Sequence, residues 1–139
     1  MKVPLAAWLT GAVVATAVLA ASCVTQAEQG LEVAGQAQDV QVQADLRQAA
    51  SVAHIYFAEN GTLDTFNAAA AAQTEPSVQW SDGGPATEGR ISIRGASETT
   101  VALASRSSSG TVYCIGVQDP ADSLGKVDAQ SAGDCTGGW

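Results

Sequence analysis

His54 is the only histidine in the chain and the first residue to ask for chemistry. A general base needs a nucleophile and an orienting acid within reach. Ser51 stands three residues before it and Ala58 four after, so no acid shares its helical face at the i+4 spacing. His54 therefore reads as a half-exposed helix histidine with no catalytic role. Asp119, Asp122 and Asp128 place three carboxylates in one stretch, the ligand type calcium prefers. The Asp-x-Asn-x-Asp-Gly order and closing Glu of a calcium loop are missing, so they read as solvated loop charges. Trp80, Tyr113 and Trp139 could form an aromatic contact patch, with core packing the simpler reading of Trp80. Arg47 reads as an ion-pair partner of nearby or loop carboxylates, or as a solvated charge. No catalytic residue, cofactor, metal or small-molecule substrate is expected, and no enzyme.

Three cysteines remain: Cys23, Cys114 and Cys135. In an exported domain the compartment is oxidising, which pairs Cys114 with Cys135. That loop of about 22 residues is worth roughly 3 kcal/mol by loop entropy. The alternative is two free buried thiols in a cytosolic protein. Zinc is disfavoured, since two cysteines and one distant histidine lack ligand spacing.

The formal net charge is −8 with six Lys and Arg among 139 residues, and no basic cluster could neutralise several phosphates. Nucleic acid is therefore not an expected partner. The length suits one domain behind an N-terminal segment. The division expected is residues 1–25 as a hydrophobic anchor or signal and 26–139 as a globular domain that includes the soluble half of a long helix.

The N-terminal segment makes the case for export. Val3 to Val24 carries no charge, and only Thr10, Thr16 and Ser22 are polar. At 1.5 Å per residue this run reaches about 33 Å as a helix, enough to cross a bilayer core. Three readings stay open. The segment stays as a membrane anchor through residues 3–24. It is cut as a signal after Thr25-Gln26-Ala27. Or Leu19-Ala20-Ala21-Ser22-Cys23 acts as a lipobox, and Cys23 carries lipid. Each places the domain outside the cytoplasm, at the cell surface or beyond it.

These residues need elements to hold them. Leu46, Ala49, Ala50, Val52, Ala53, Tyr56 and Phe57 recur at helical spacing and predict one apolar, mostly small face. Asn60-Gly61 stops that helix, since both tolerate positive φ. Upstream, Gly30 and Gly35 are the only breakers between Thr25 and Ala58, which predicts a helix from about Val3 to Phe57 or a linker over Gln26–Asp39. Asp64 is the expected N-cap of a second helix over Thr65–Gln73. Beyond Pro76 the period changes to two. Val78 and Trp80, Ile91 and Ile93, Val101 and Leu103, and Val112 and Cys114 alternate with their neighbours between Gly-, Ser- and Asp-rich turns. That pattern predicts an antiparallel meander of three or four strands. It would bury Leu46, Val52 and Tyr56/Phe57 against Ile91, Ile93, Val101 and Val112. Gln118–Trp139 shows no period.

The order of these blocks carries a resemblance. Asp45-Leu46-Arg47-Gln48-Ala49-Ala50 runs into Tyr56-Phe57-Ala58-Glu59-Asn60-Gly61-Thr62, then a small sheet. Ser109-Gly110-Thr111-Val112-Tyr113-Cys114-Ile115 and Cys135-Thr136-Gly137-Gly138-Trp139 follow. Over roughly Gln36–Trp139 the chain resembles a type IV pilin-like protein of the actinobacterial kind. The Gly-ended leader and early Glu of such proteins have no counterpart here. The resemblance implies an α+β fold, a long N-terminal helix packed on a small antiparallel sheet of three to four strands. It implies a non-catalytic subunit or accessory of a type IV pilus or type II secretion-like pseudopilus. Such a subunit would assemble with other pilin-like subunits through its apolar N-terminal helix. The alternative is a monomeric exported lipoprotein or secreted binding domain that does not polymerise.

Overall fold

The computed structural model describes the backbone of residues 10–139 and the side chains of residues 30 and 32–139. The expected anchor over residues 3–24 and the lipid-bearing role of Cys23 therefore lie outside the described side chains. Among the described residues no helix is long and apolar enough to cross a membrane. The chain divides into two units, Met1–Gly35 and Gln36–Trp139. The second carries the sheet.

Its first element is the C-terminal part of helix α1, assigned over Thr10–Asn60. Leu46, Ala49, Ala50, Val52 and Ala53 are buried, and Val42, Tyr56 and Phe57 are partly buried against the same core. Three alanines on that face let the helix approach closely. The Gln-rich turns before Val42 have little to bury, and Gln36, Gln38 and Gln41 are exposed. Helix α2, Ala68–Thr74, starts three residues later than expected. Its N-cap is Asn67, whose side chain accepts from Ala70 N at 3.0 Å, and not Asp64. The next free amide, Ala68 N, donates to Asp82 at 2.6 Å and ties α2 to the first strand. A short helix needs such partners, because most helical stability in proteins comes from packing.

Five strands follow: β1 (Trp80–Asp82), β2 (Ile91–Arg94), β3 (Val101–Arg106), β4 (Val112–Val117) and β5 (Ser123–Gly125). They lie side by side in chain order. β2 to β5 are antiparallel, whereas β1 runs parallel to β2, pairing Trp80 with Ile91 and Asp82 with Ile93. Parallel neighbours usually need a crossover of a dozen residues or more. Here Gly83–Arg90 manages the return, because Gly83, Gly84 and Gly89 all adopt positive φ. Ser92 Oγ donates to Gly83 O at 2.7 Å and holds the excursion against β2.

Two parts of the expected architecture are corrected by this. A long N-terminal helix is not shown: side chains of α1 are described from Glu32 on, and only its C-terminal part packs on the sheet. The sheet has five strands and is mixed, not three or four and antiparallel. The overall class remains α+β.

Both faces of the sheet are covered. Ile91, Ile93, Val101, Leu103, Tyr113, Ile115 and Val117 share the core with α1. Ala104, Cys114 and the half-buried Val112 turn the other way, toward Ala129 and Cys135. Val112 is therefore not part of the helix-facing wall that its spacing was expected to join. The chain after β4 makes this second layer. It lies so close that a Cβ at Gly116 would meet Ala132 O, and one at Gly125 would meet Thr136 O. Glycine in these strands is the condition for the tail to lie flat on them.

Three contacts pin the tail. Cys114 and Cys135 form a disulfide with Cα atoms 5.9 Å apart. Arg94, buried on β2, donates to Asp128 and to Ala129 O at 2.9 Å. Trp139 Nε1 lies 3.1 Å from Cys114 O and 3.0 Å from Gly125 O, while its ring stands edge-on to Tyr113. Arg47 lies 4.9 Å from the Trp139 ring centre and makes a cation–π contact there, which neither the carboxylate pair nor the solvated charge read from the sequence included.

Candidate functional site

A groove of about 490 Å³ lies at the C-terminal end of α1. Its first wall follows from the way the helix stops. Asn60 Nδ2 donates to Tyr56 O at 2.9 Å, and Gly61 N to Phe57 O at 2.7 Å. Gly61 has φ +74°, so the chain turns out of the helix there. Leu63 N then donates to Glu98 O at 2.9 Å, which fixes the buried Leu63 beside Phe57. Val117, at the end of β4, closes the floor.

The second wall is the loop Gln118–Asp122 between β4 and β5. Asp122 organises it by accepting from Gln118 N at 3.2 Å. The same carboxylate faces His54 across the groove, with Nε2 at 3.0 Å from both oxygens. Nε2 therefore carries the proton and donates to the carboxylate. The His54 side chain is 51% exposed and that of Asp122 26%. His54 thus has an acid partner after all, but one 68 residues away on another element. No local spacing could reveal it.

An acid and an imidazole are two parts of a nucleophile-activating relay. The third is missing: His54 has no hydrogen bond to a hydroxyl or thiol among the described residues. Ser51 Oγ turns back to Arg47 O at 3.1 Å. Cys114 and Cys135 are consumed in the disulfide. The three aspartates singled out as a calcium alternative separate: Asp122 goes to His54, Asp128 to Arg94, and Asp119 to the groove rim. Among the described residues, no three His, Cys, Asp or Glu are placed to hold a metal.

A polar cluster elsewhere shows how α1 is tied to the β3–β4 turn. Ser109 Oγ donates to Asp39 at 2.7 Å. Hydrogen bonds from Ser107 and Ser109 hold the Asp39 carboxyl below its ordinary value of 3.8. Burial, and the Asp39 carboxylate beside it, push the Tyr113 phenol above 10.0. A lowered carboxyl contributes stability that is present above its unfolded value and lost as pH falls through the folded one. A raised phenol contributes stability below its unfolded value and loses it as pH rises through the folded one. Unfolding midpoints should therefore fall on both limbs, below about pH 4 and above about pH 10. In Asp39→Asn the acid limb should flatten, which urea titrations across that range would measure; an unaltered acid limb would remove Asp39 from the account.

Leu46, Ala49, Val52 and Ala53 lie buried between α1 and the sheet, with Tyr56 and Phe57 at the margin. Of these, only Phe57 also reaches the groove. Tyr56 instead bonds Thr65 through its hydroxyl at 2.9 Å and stacks at a tilt on Phe66. No protein-family model, no curated protein and no solved structure matches this chain.

Proposed function

We propose that the chain is a non-catalytic structural subunit or accessory of an exported assembly of the type IV pilus or pseudopilus kind, joined to its neighbours along the outer face of α1. The observation that carries this reading is the exposed, mostly small and apolar outer stripe of that helix. Val40, Ala44, Ser51, Ile55 and Ala58 recur at helical spacing, and all are exposed; the one charge in the row is Arg47, which lies over Trp139. Val40 is 63% and Ile55 46% exposed, on the side opposite Leu46 and Ala53. Small residues flanking two branched apolar ones suit close helix–helix contact. The disulfide supports an oxidising compartment.

The test is self-association of the full chain by sedimentation, with Ile55→Glu as the variant. Association should weaken about tenfold or more, a change of ~1.4 kcal/mol, with the unfolding midpoint unchanged. A wild-type chain that stays monomeric at high concentration would defeat the proposal, and so would an Ile55→Glu chain that associates equally well. The groove at His54 favours a second reading, an exported binding domain that does not polymerise.

A further inference from the structure

The groove has a chemical character that neither its volume nor the assembly reading explains. Its accessible apolar surface comes from half-buried Phe57 and exposed Pro120, over the buried Leu63 and Val117, with Thr99 and Gln118 beside them. Its rim carries Asp119 and Asp122, and no Lys or Arg lines it. Asp122 is shared with His54, whereas exposed Asp119 makes no hydrogen bond or ion pair among the described residues. The whole chain adds a net charge of −8. An anion would find two carboxylates here and, of basic side chains, only His54, already engaged with Asp122. A hydrated metal ion would find too few ligands and a floor that gives it nothing. An organic cation is complementary to both parts, because its charge is met at the rim while its body removes apolar surface from water. The volume lies within the range of small-molecule pockets, roughly 300–1,000 Å³.

We propose that this groove binds an organic ammonium or guanidinium cation, the charged head beside Asp119 and Asp122 and the apolar body against Phe57 and Pro120. The proposal needs no association between copies of the chain. Pockets of this kind keep a few polar groups to orient the head and an apolar wall to supply affinity. Asp119 supplies the attraction, and the His54–Asp122 pair sets the loop that presents it.

The experiment is an NMR titration of the full chain with 2-phenylethylammonium. Phenylacetate, with the same body and opposite charge, is the control. Saturable shifts are expected at His54, Phe57 and Gln118–Asp122 with the ammonium alone, and higher salt should weaken them. Asp119→Asn should weaken binding three- to tenfold and leave signals outside the loop in place. A lysine-containing acetylated peptide forms a second arm. Tighter binding by the peptide would assign the cation to a partner's side chain, and tighter binding by the free amine to a small molecule. Absence of saturable shifts with either cation, equal response to phenylacetate, or unchanged affinity in Asp119→Asn would each overturn the proposal.

Discussion

Opening the Cys114–Cys135 bond, by reductant or by a double alanine substitution, should cost about 3 kcal/mol of stability and lower the melting temperature by on the order of 15 °C. The estimate follows from what the bond encloses. It joins residues 21 apart in sequence, and between them lie β5, Asp128 with its Arg94 partner, and the loop that carries Asp119 and Asp122. After β4 this stretch has only the three-residue β5 and a single 3-10 turn, Ala132–Asp134, to hold it. Its order rests on the bond, on Arg94 and on Trp139. Untying it mainly enlarges the unfolded ensemble, so the denaturant slope should rise slightly as the midpoint falls. Both sulfurs are fully buried, so the native protein should react slowly with reductant and quickly once denatured. A midpoint that does not move on reduction would show that the second layer is held by packing alone. The ammonium-induced shifts at Gln118–Asp122 should broaden or vanish in the double alanine chain, since the same bond positions the groove loop.

Much of the core-forming half was legible in the sequence, and the reason is periodicity. Leu46, Ala49 and Ala53 keep one helical face, and Ile91, Ile93, Val101 and Leu103 keep one strand face, as burial on both sides demands. The edges were less legible. The alternation of Val78 and Trp80 marked a strand near β1 but not its bounds or direction, and the three-residue β5 lies in a stretch of Gly, Ser and Asp with no period. The parallel pairing of β1 depends on three glycines with positive φ, which a sequence presents only as a turn. The assignment of Val112 to the helix-facing wall failed for a different reason. Both faces of β4 are covered, so Val112 and Ile115 are each apolar without sharing a partner. The candidate site was the least legible. His54–Asp122, Arg94–Asp128 and Arg47–Trp139 all join distant elements, and nothing near each residue announces its partner. Asn67 in place of Asp64 as the cap is a smaller case. Thr62, Asp64 and Asn67 are all capping types, and Asp82 selects among them by receiving the amide of Ala68.

Leu46→Ala should cost about 3 kcal/mol, within the 2–5 kcal/mol usual for a buried leucine, while Val40→Ala on the opposite face should stay within about 0.5 kcal/mol. The pair isolates the docking of α1 from its intrinsic helicity. Alanine is the better helix former in both cases, slightly over leucine and by less than about 0.7 kcal/mol over valine, so propensity favours both variants and cannot produce the loss expected at Leu46. Only the environment can: Leu46 is fully buried against the core of the sheet, and Val40 is largely in water. A third variant reverses the sign of the volume change. Ala53→Leu enlarges a residue with no exposed surface and should cost about 1–3 kcal/mol by overpacking. In a helix that merely stood in solvent the same change would be nearly neutral. Stability curves for the three chains therefore decide between a helix held by the sheet and a helix that only precedes it. Equal, small effects at positions 40, 46 and 53 would remove the packed face, and with it the argument that the opposite face is the one left exposed for a partner.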